Sequence, residues 1–266
     1  IDLRISTYPT LFGEKTVLRL LNLKEALFPL SSLGFRKDTE TNFNNMLYGG
    51  EGIILVSGPT GSGKTTTLYS TLNKMEKPDI NIVTIEDPIE FDLENINQAQ
   101  VNTKSGVTFA SALRSILRQD PDIIMVGEIR DDETVELAIR AALTGHLVFS
   151  TIHTNDAASG FARLLNWEIE PFLIASTVKG ILAQRLVRRI CENCKIEHEI
   201  TDRESTLLKI DKKKYAKTFT GKGCLSCRNS GYRGRVGLYE LLKVDEKVSQ
   251  LVLNQEPSFK IKEMAR

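Results

Sequence analysis

Ile53-Ile54-Leu55-Val56-Ser57-Gly58-Pro59-Thr60-Gly61-Ser62-Gly63-Lys64-Thr65-Thr66 runs from an apolar stretch through a glycine-rich turn into a helical pattern. A short apolar run that stops at such a turn reads as a buried strand. Gly58 to Thr65 fits G-x-x-x-x-G-K-[ST], and a strand before it with a helix after it is the context that validates the pattern. The glycines let backbone N–H groups turn inward around phosphates, and Lys64 can reach the β- and γ-phosphate oxygens. The Thr65 hydroxyl can ligate magnesium. Gly58, Pro59, Thr60, Gly61, Ser62, Gly63, Lys64, Thr65 and Thr66 are thus the expected binding residues for ATP or ADP.

Three further apolar runs follow, Ile80 to Ile85, Ile123 to Val126 and Leu147 to Ile152, with helical patterns between them at Phe109 to Arg118 and Glu133 to Leu143. Buried strands alternating with helices predict an α/β fold around a mainly parallel sheet. Phe172 to Arg189 reads as an amphipathic helix ending in basic residues. Residues 1 to 23 carry two strand-like runs about Gly13-Glu14, and Leu23 to Asn45 reads as linker plus helix. The 266 residues are 41% hydrophobic and 26% charged, an ordinary globular composition that excludes a disordered or collagen-like chain. With 35 basic against 34 acidic residues the net charge is +1, which gives no case for a chain built to coat nucleic acid. No apolar run is long enough to span a bilayer. The two ends read as cuts in a longer protein.

Nucleotide binding is not turnover, which needs groups that hold magnesium, orient water and stabilise the transferring phosphoryl group. Glu86-Asp87-Pro88-Ile89-Glu90 follows the second strand and Gly127-Glu128 follows the third. The mouth of an open α/β sheet lies at the carboxyl ends of its strands, so Glu86, Asp87, Glu90 and Glu128 should converge on the phosphates. Gly127 stands where an aspartate usually precedes the glutamate, which shifts weight onto Glu86 and Asp87. His146 and His153 bracket the next strand and suggest sensing of the γ-phosphate.

These residues together resemble the secretion ATPases of the type II secretion and type IV pilus assembly family. Gly58 to Thr65 looks like its Walker A motif and Ile85 to Phe91 like its aspartate box. Asp120 to Asp131 looks like its atypical Walker B, including Gly127, and Thr144 to Thr154 like its histidine box. The resemblance implies a RecA-like P-loop motor domain, a partial small α/β domain before it, and a homo-hexamer. It places that hexamer in the cytoplasm, peripheral at the inner membrane, working with a membrane platform protein and its cytoplasmic adaptor. By the same resemblance Glu90 would position water, Glu128 would organise magnesium, and Arg4, Arg19, Arg114 and Arg118 would act as arginine fingers. Arg114 and Arg118 are four apart on an expected helix, hence on one face.

Cys191-Glu-Asn-Cys194 and Cys224-Leu-Ser-Cys227 are two C-x-x-C knuckles, the ligand set of a closed structural zinc site. Redox chemistry is the rival reading. Assembly and secretion ATPases of the resembled family carry such a module, whereas retraction ATPases lack it, so export or extension is favoured. The expected organisation is 1–23 as part of the small domain, 24–50 as linker and leading helix, and 51–190 as the motor core. The zinc module would occupy 191–237 and the helical end of the motor 238–266. Two further rivals are a nucleic-acid motor and a nucleotide-binding scaffold without turnover. The basic clusters Arg185 to Arg189 and Lys209 to Lys217 lack interleaved aromatics, so no direct nucleic-acid binding is expected.

Overall fold

The computed structural model describes residues 2–21, 27–211, 214 and 217–265. Ile1, residues 22–26 (the end of the expected small domain and the start of the expected linker) and part of the lysine-rich loop (212, 213, 215 and 216) lie outside the described residues, as does Arg266.

The centre of the molecule is β3 (Gly52–Ser57), buried along its whole length. Its side chains alternate between two apolar layers: Ile53 and Leu55 face one, Ile54 and Val56 the other. On the second face pack α1 (Lys37–Leu47) and α2 (Lys64–Met75), through Phe43, Leu47, Leu68 and Leu72. The first face is covered by α3 (Phe109–Ile116), α4 (Asp132–Leu143), α5 (Ala158–Asn166) and α6 (Pro171–Thr177). It is completed by α8 (Glu246–Leu253) and α9 (Ser258–Met264). Helices on both faces explain why the strands read as continuous apolar runs rather than alternating ones.

The sheet has seven strands. Beside β3 they are β4 (Ile82–Glu86), β5 (Asn97–Gln100), β6 (Ile123–Val126), β7 (Leu147–Ile152), β8 (Val178–Ile190) and β11 (Tyr232–Lys243), in the order β11-β8-β3-β7-β6-β4-β5. The pairs β3–β7, β3–β8, β6–β7, β4–β6 and β4–β5 are parallel. The predicted α/β fold with a mainly parallel sheet is therefore present.

Three local expectations need correction. Phe172 to Arg189 is not one helix: α6 ends at Thr177 and β8 begins at Val178. The adjacent Ile181 and Leu182 go to opposite layers, a period of two that only a strand provides. Secondly, the end of the chain is not all helical, because β11 supplies an edge strand as far as Lys243 before α8 and α9. Finally, α3 stops at Ile116, leaving Arg118 in the turn beyond it rather than on the helix face of Arg114. Of the expected small domain, the described part is an antiparallel hairpin of β1 (Asp2–Thr10) and β2 (Gly13–Leu21).

The chain forms two compact units, 1–185 with 239–266 and 186–238; it leaves the first along β8 and returns along β11. The second unit contains β9 (Lys195–Glu199) paired antiparallel with β10 (Lys217–Gly221). Between them α7 (Asp202–Leu208) opens on a reciprocal cap, in which Thr201 and Glu204 each accept the other's backbone N–H. No helix among the described residues is long and apolar enough to cross a membrane.

Candidate active site and metal centre

The turn from β3 into α2 is held tightly. A side chain on Gly58 would meet the carbonyl oxygen of Gln184 at 2.5 Å, and φ there is +149°, so the loop follows a path open only to glycine. Gln184 braces it from β8, donating to the Ser62 carbonyl at 2.7 Å and accepting from Thr67 at 2.9 Å. Helix α2 opens on Gly63 with no side chain capping its first N–H groups. The Ser62 hydroxyl is buried without a partner. Uncapped N–H groups and an orphaned hydroxyl around a glycine turn fit a phosphate group. Lys64 folds back over the loop, donating to the carbonyls of Gly58 (2.8 Å) and Pro59 (3.2 Å). Burial lowers the pKa of its ammonium group below the usual lysine value, against the opposing pull of Glu128.

The parallel register brings the carboxyl ends of β3, β7, β6 and β4 to one rim, with Ser57 beside Ile152, Ser150 beside Val126 and Val126 beside Ile85. Glu128 lies just past β6, held by Arg130 and by His153 Nε2 at 3.3 Å. Arg130 also donates to Asp87 at 3.3 Å, joining the segment after β4 to the one after β6. Glu90 pairs with Arg4 of the hairpin at 3.0 Å, and Arg4 also donates to the Ile89 carbonyl at 3.3 Å. Glu86 is different. It is buried within the sheet, accepting from Tyr69, from Thr84 at 2.8 Å and from Gln98 at 3.0 Å. A side chain on Gly127 would press to 3.3 Å on the backbone of β4, which accounts for glycine where an aspartate was looked for.

The two histidines part company. His153 is at the phosphate rim, but His146 precedes β7 at the other end of the sheet. There its Nδ1 contacts the Ala141 carbonyl at 2.8 Å and its own carbonyl accepts from Gly52 N at the start of β3. Seven residue steps at about 3.3 Å each separate the two positions by roughly 23 Å, so the expectation that both stand near the phosphates is corrected. Arg19 lies directly across the hairpin from Arg4. Arg114 pairs with Glu133, and Arg118 donates to the Arg114 carbonyl at 2.7 Å.

The loop after β7 is fastened from two sides. The hydroxyls of Thr154 and Ser57 are 2.6 Å apart, and Asp156 accepts from Lys262 of α9 at 2.7 Å and from Ser159. Burial pushes the Asp156 carboxyl up, but Lys262 and Ser159 outweigh it and bring it down from 3.8 to about 2. A depressed folded-state pKa stabilises above the ordinary value and is lost as the pH falls through the depressed one. Asp156→Asn is therefore expected to cost about 1 kcal/mol at pH 7, and the difference from the parent should shrink as pH falls from 4 towards 2. Urea unfolding of both proteins across that range checks it.

In the second unit Cys191, Cys194, Cys224 and Cys227 bring their Sγ atoms within 4.8 Å of one another, and none is in a disulfide. The Sγ separations for 191–224, 194–227 and 224–227 are 3.9, 3.9 and 3.8 Å. Thiolates at about 2.3 Å from a tetrahedral ion stand roughly 3.8 Å apart, so this cluster has the dimensions of a zinc site. Burial pushes the Cys227 thiol up, but the backbone N–H groups of Cys224 and Gly231 together with the neighbouring thiols bring it down to about 6. His198 is engaged with Glu204 at 3.2 Å, outside the cluster. A side chain on Gly221 would sit 2.1 Å from the Gly231 carbonyl oxygen, so glycine permits the close crossing beside the knuckles.

A family model described as "Type II/IV secretion system protein" matches residues 1–266. The chain belongs to the type II/IV secretion system protein family. It is 49% identical over 252 residues to the type II secretion system ATPase E of Vibrio cholerae, covering 95% of this chain and 50% of that protein. To the type IV pilus assembly ATPase PilB of Pseudomonas aeruginosa it is 48% identical, covering 100% of this chain and 47% of the relative. The chain thus spans about half the length of these curated relatives. Among solved structures, the pilus retraction motor PilT with bound ADP superposes with a TM-score of 0.71 at 31% identity, covering 98% of this chain and 66% of that one.

For this member of the family, the sequence points to the phosphate loop, Glu90, Glu128 and the cysteines as candidates but does not point to Tyr69, Gln98, Gln184 and Arg130, which the structure adds. Gln184 follows directly on Ile181-Leu182-Ala183, where a pattern registers only core, and Tyr69 stands among the threonines and serine of α2 with nothing local to mark it. Arg130 lies inside the motif stretch itself, and its bridging of Asp87 and Glu128 depends on two strands being neighbours.

Proposed function

We propose that this chain is the ATP-hydrolysing, RecA-like motor part of a machine of the type II secretion or type IV pilus assembly kind. The observation that carries the proposal is the meeting of the phosphate loop, Glu128, Asp87 and His153 at one rim of the sheet, linked by Arg130. On this reading the N–H groups from Gly58 to Thr66 cradle the phosphates, and Lys64 exchanges its carbonyl partners for phosphate oxygens. Magnesium, held by Thr65 and organised by Glu128, would neutralise charge on the transferring phosphoryl group. Glu90 orients and deprotonates the attacking water, and His153 reads the γ-phosphate through its contact with Glu128. Asp87 serves by holding Arg130, and Glu86 serves as an anchor rather than beside the water.

Arg4 faces Glu90 of its own chain and holds it while no phosphate competes. Arg19, on the same face of the hairpin as Arg4, and Arg114 with Arg118 are the guanidinium groups for transition-state charge, within or across subunits. Such shared sites suit a closed ring, here a homo-hexamer. The four cysteines would hold zinc as a structural ion, which ties the two knuckles together. Relatives named for pilus assembly and secretion support extension or export over retraction; on the same proposal the ring works at the cytoplasmic face of the inner membrane with a platform protein and its adaptor.

Phosphate release from magnesium-ATP by the full chain, with equilibrium nucleotide binding measured alongside, tests the proposal. Binding with turnover is the expected result. Binding without turnover under all assembly conditions would favour a scaffold, and stimulation by DNA would favour a nucleic-acid motor.

A further inference from the structure

Glu90 lies on a segment without regular secondary structure between β4 and β5, so what fixes its position is a question the strands do not answer. The fastening comes from below. Tyr69 stands five residues after Lys64 on α2, about 7 Å along the axis, with its ring fully buried. Its hydroxyl donates to the Glu86 carboxylate and accepts from the backbone N–H of Glu90 at 3.3 Å and from Gln98 Nε2 at 3.4 Å. A phenol offers one donor and two acceptor sites, and all three are filled. Gln98, on β5, donates to the Phe91 carbonyl at 3.3 Å and accepts from Leu93 N at 2.6 Å. The Phe91 ring meets that of Tyr69 edge to face at 4.6 Å.

Segment 90–93 is therefore gripped at three backbone points, all through two side chains. Both side chains are themselves held by Glu86, whose buried carboxylate receives Tyr69, Thr84 and Gln98. An ionised buried carboxylate is tolerable when several donors replace its water, and here two of those donors, Tyr69 and Gln98, are the side chains that reach segment 90–93. Burial, reinforced by Glu86, raises the Tyr69 hydroxyl well above the ordinary tyrosine range, so it remains a donor at any working pH.

We infer that Tyr69, Gln98 and Glu86 are positioning residues that couple the phosphate-loop helix to Glu90, so that a shift of α2 on nucleotide binding sets the placement of the Glu90 carboxylate. The inference rests on the role of Glu90 proposed above. The phosphates pull on the N-terminus of α2, and Tyr69 passes that movement to the Glu90 N–H. The coupling needs the hydroxyl and not only the ring, which separates it from simple packing.

Tyr69→Phe keeps the ring and removes the hydroxyl. In the full chain, kcat is expected to fall about tenfold to a hundredfold, since displacement by about 1 Å has effects of that size, while the affinity for a non-hydrolysable ATP analogue stays within about twofold. In a Glu90→Gln background, followed by single-turnover release of radiolabelled phosphate, the same substitution should cost less than about twofold more, because no base remains to be placed. Gln98→Ala, at a half-buried position of the network, should reproduce the pattern if Tyr69→Phe does not fold. Unchanged kcat in Tyr69→Phe or Gln98→Ala, where Glu90→Gln is itself impaired, would overturn the inference. So would an equal loss in both backgrounds, the mark of a purely structural effect. If Glu90→Gln turns over like the parent, the reading of Glu90 fails, and the inference falls with it.

Discussion

Lys64→Ala is expected to weaken nucleotide binding roughly a hundredfold and to lower turnover roughly a thousandfold, since loss of a single well-placed donor to developing charge costs two to three orders of magnitude. The structure makes the expectation specific. Lys64 is nearly buried, is pulled below the usual lysine range by that burial, and among the described residues its ammonium group donates to the Gly58 and Pro59 carbonyls. Those bonds shape the loop as well as poise the ammonium group, so the substitution loses both loop order and a cation. Lys64→Arg should rescue poorly, because a planar fork cannot take the place of a point charge in so small a space. Titration with a fluorescent ATP analogue and a phosphate-release assay read the two effects separately. A Lys64→Ala chain that binds as tightly as the parent would show that the loop does not contact the phosphates.

Cys191→Ser is expected to empty the metal centre and to unfold the second unit locally. The Sγ separations of 3.8 to 3.9 Å leave room for one tetrahedral ion, and structural zinc contributes on the order of 10 kcal/mol to small modules. The unit has little else to hold it: Ile200, Cys191 and Cys227 are its buried apolar side chains among the described residues. Elemental analysis should find one zinc per parent chain and almost none in the variant. Amide exchange should accelerate across 186–238 while β3, β6 and β7 stay protected, since they belong to a core that the cysteines do not enter. A parent chain without zinc, or a variant with unchanged protection, would contradict the assignment.

The glycine turn and the apolar runs were legible because each is local: a strand buried on both faces leaves a continuous apolar signature, and a phosphate loop needs fixed glycines in a fixed order. Phe172 to Arg189 was misread because a run of mixed apolar and basic residues satisfies a helical period until one knows that Ile181 and Leu182 face opposite layers. His146 was misplaced for a related reason. Proximity in sequence to His153 says nothing about the end of the strand on which a residue stands, and a six-residue strand carries the two to opposite rims. Glu86 ends its strand as an acid, but it is buried in the sheet rather than converging on the phosphate loop as expected. Its burial came from Tyr69 and Gln98, separated from it by 17 and 12 residues, and long-range pairing of that kind leaves no local trace.

The most direct test of the central claim is phosphate release from saturating magnesium-ATP by Glu90→Gln beside the parent, with nucleotide affinity measured on the same samples. Hydrolysis organised by that carboxylate predicts equal affinities and a turnover at least about a hundredfold lower in the variant, the scale of general-base catalysis. Equal turnover in the two proteins would contradict it and move the water-activating role to another group at the same rim.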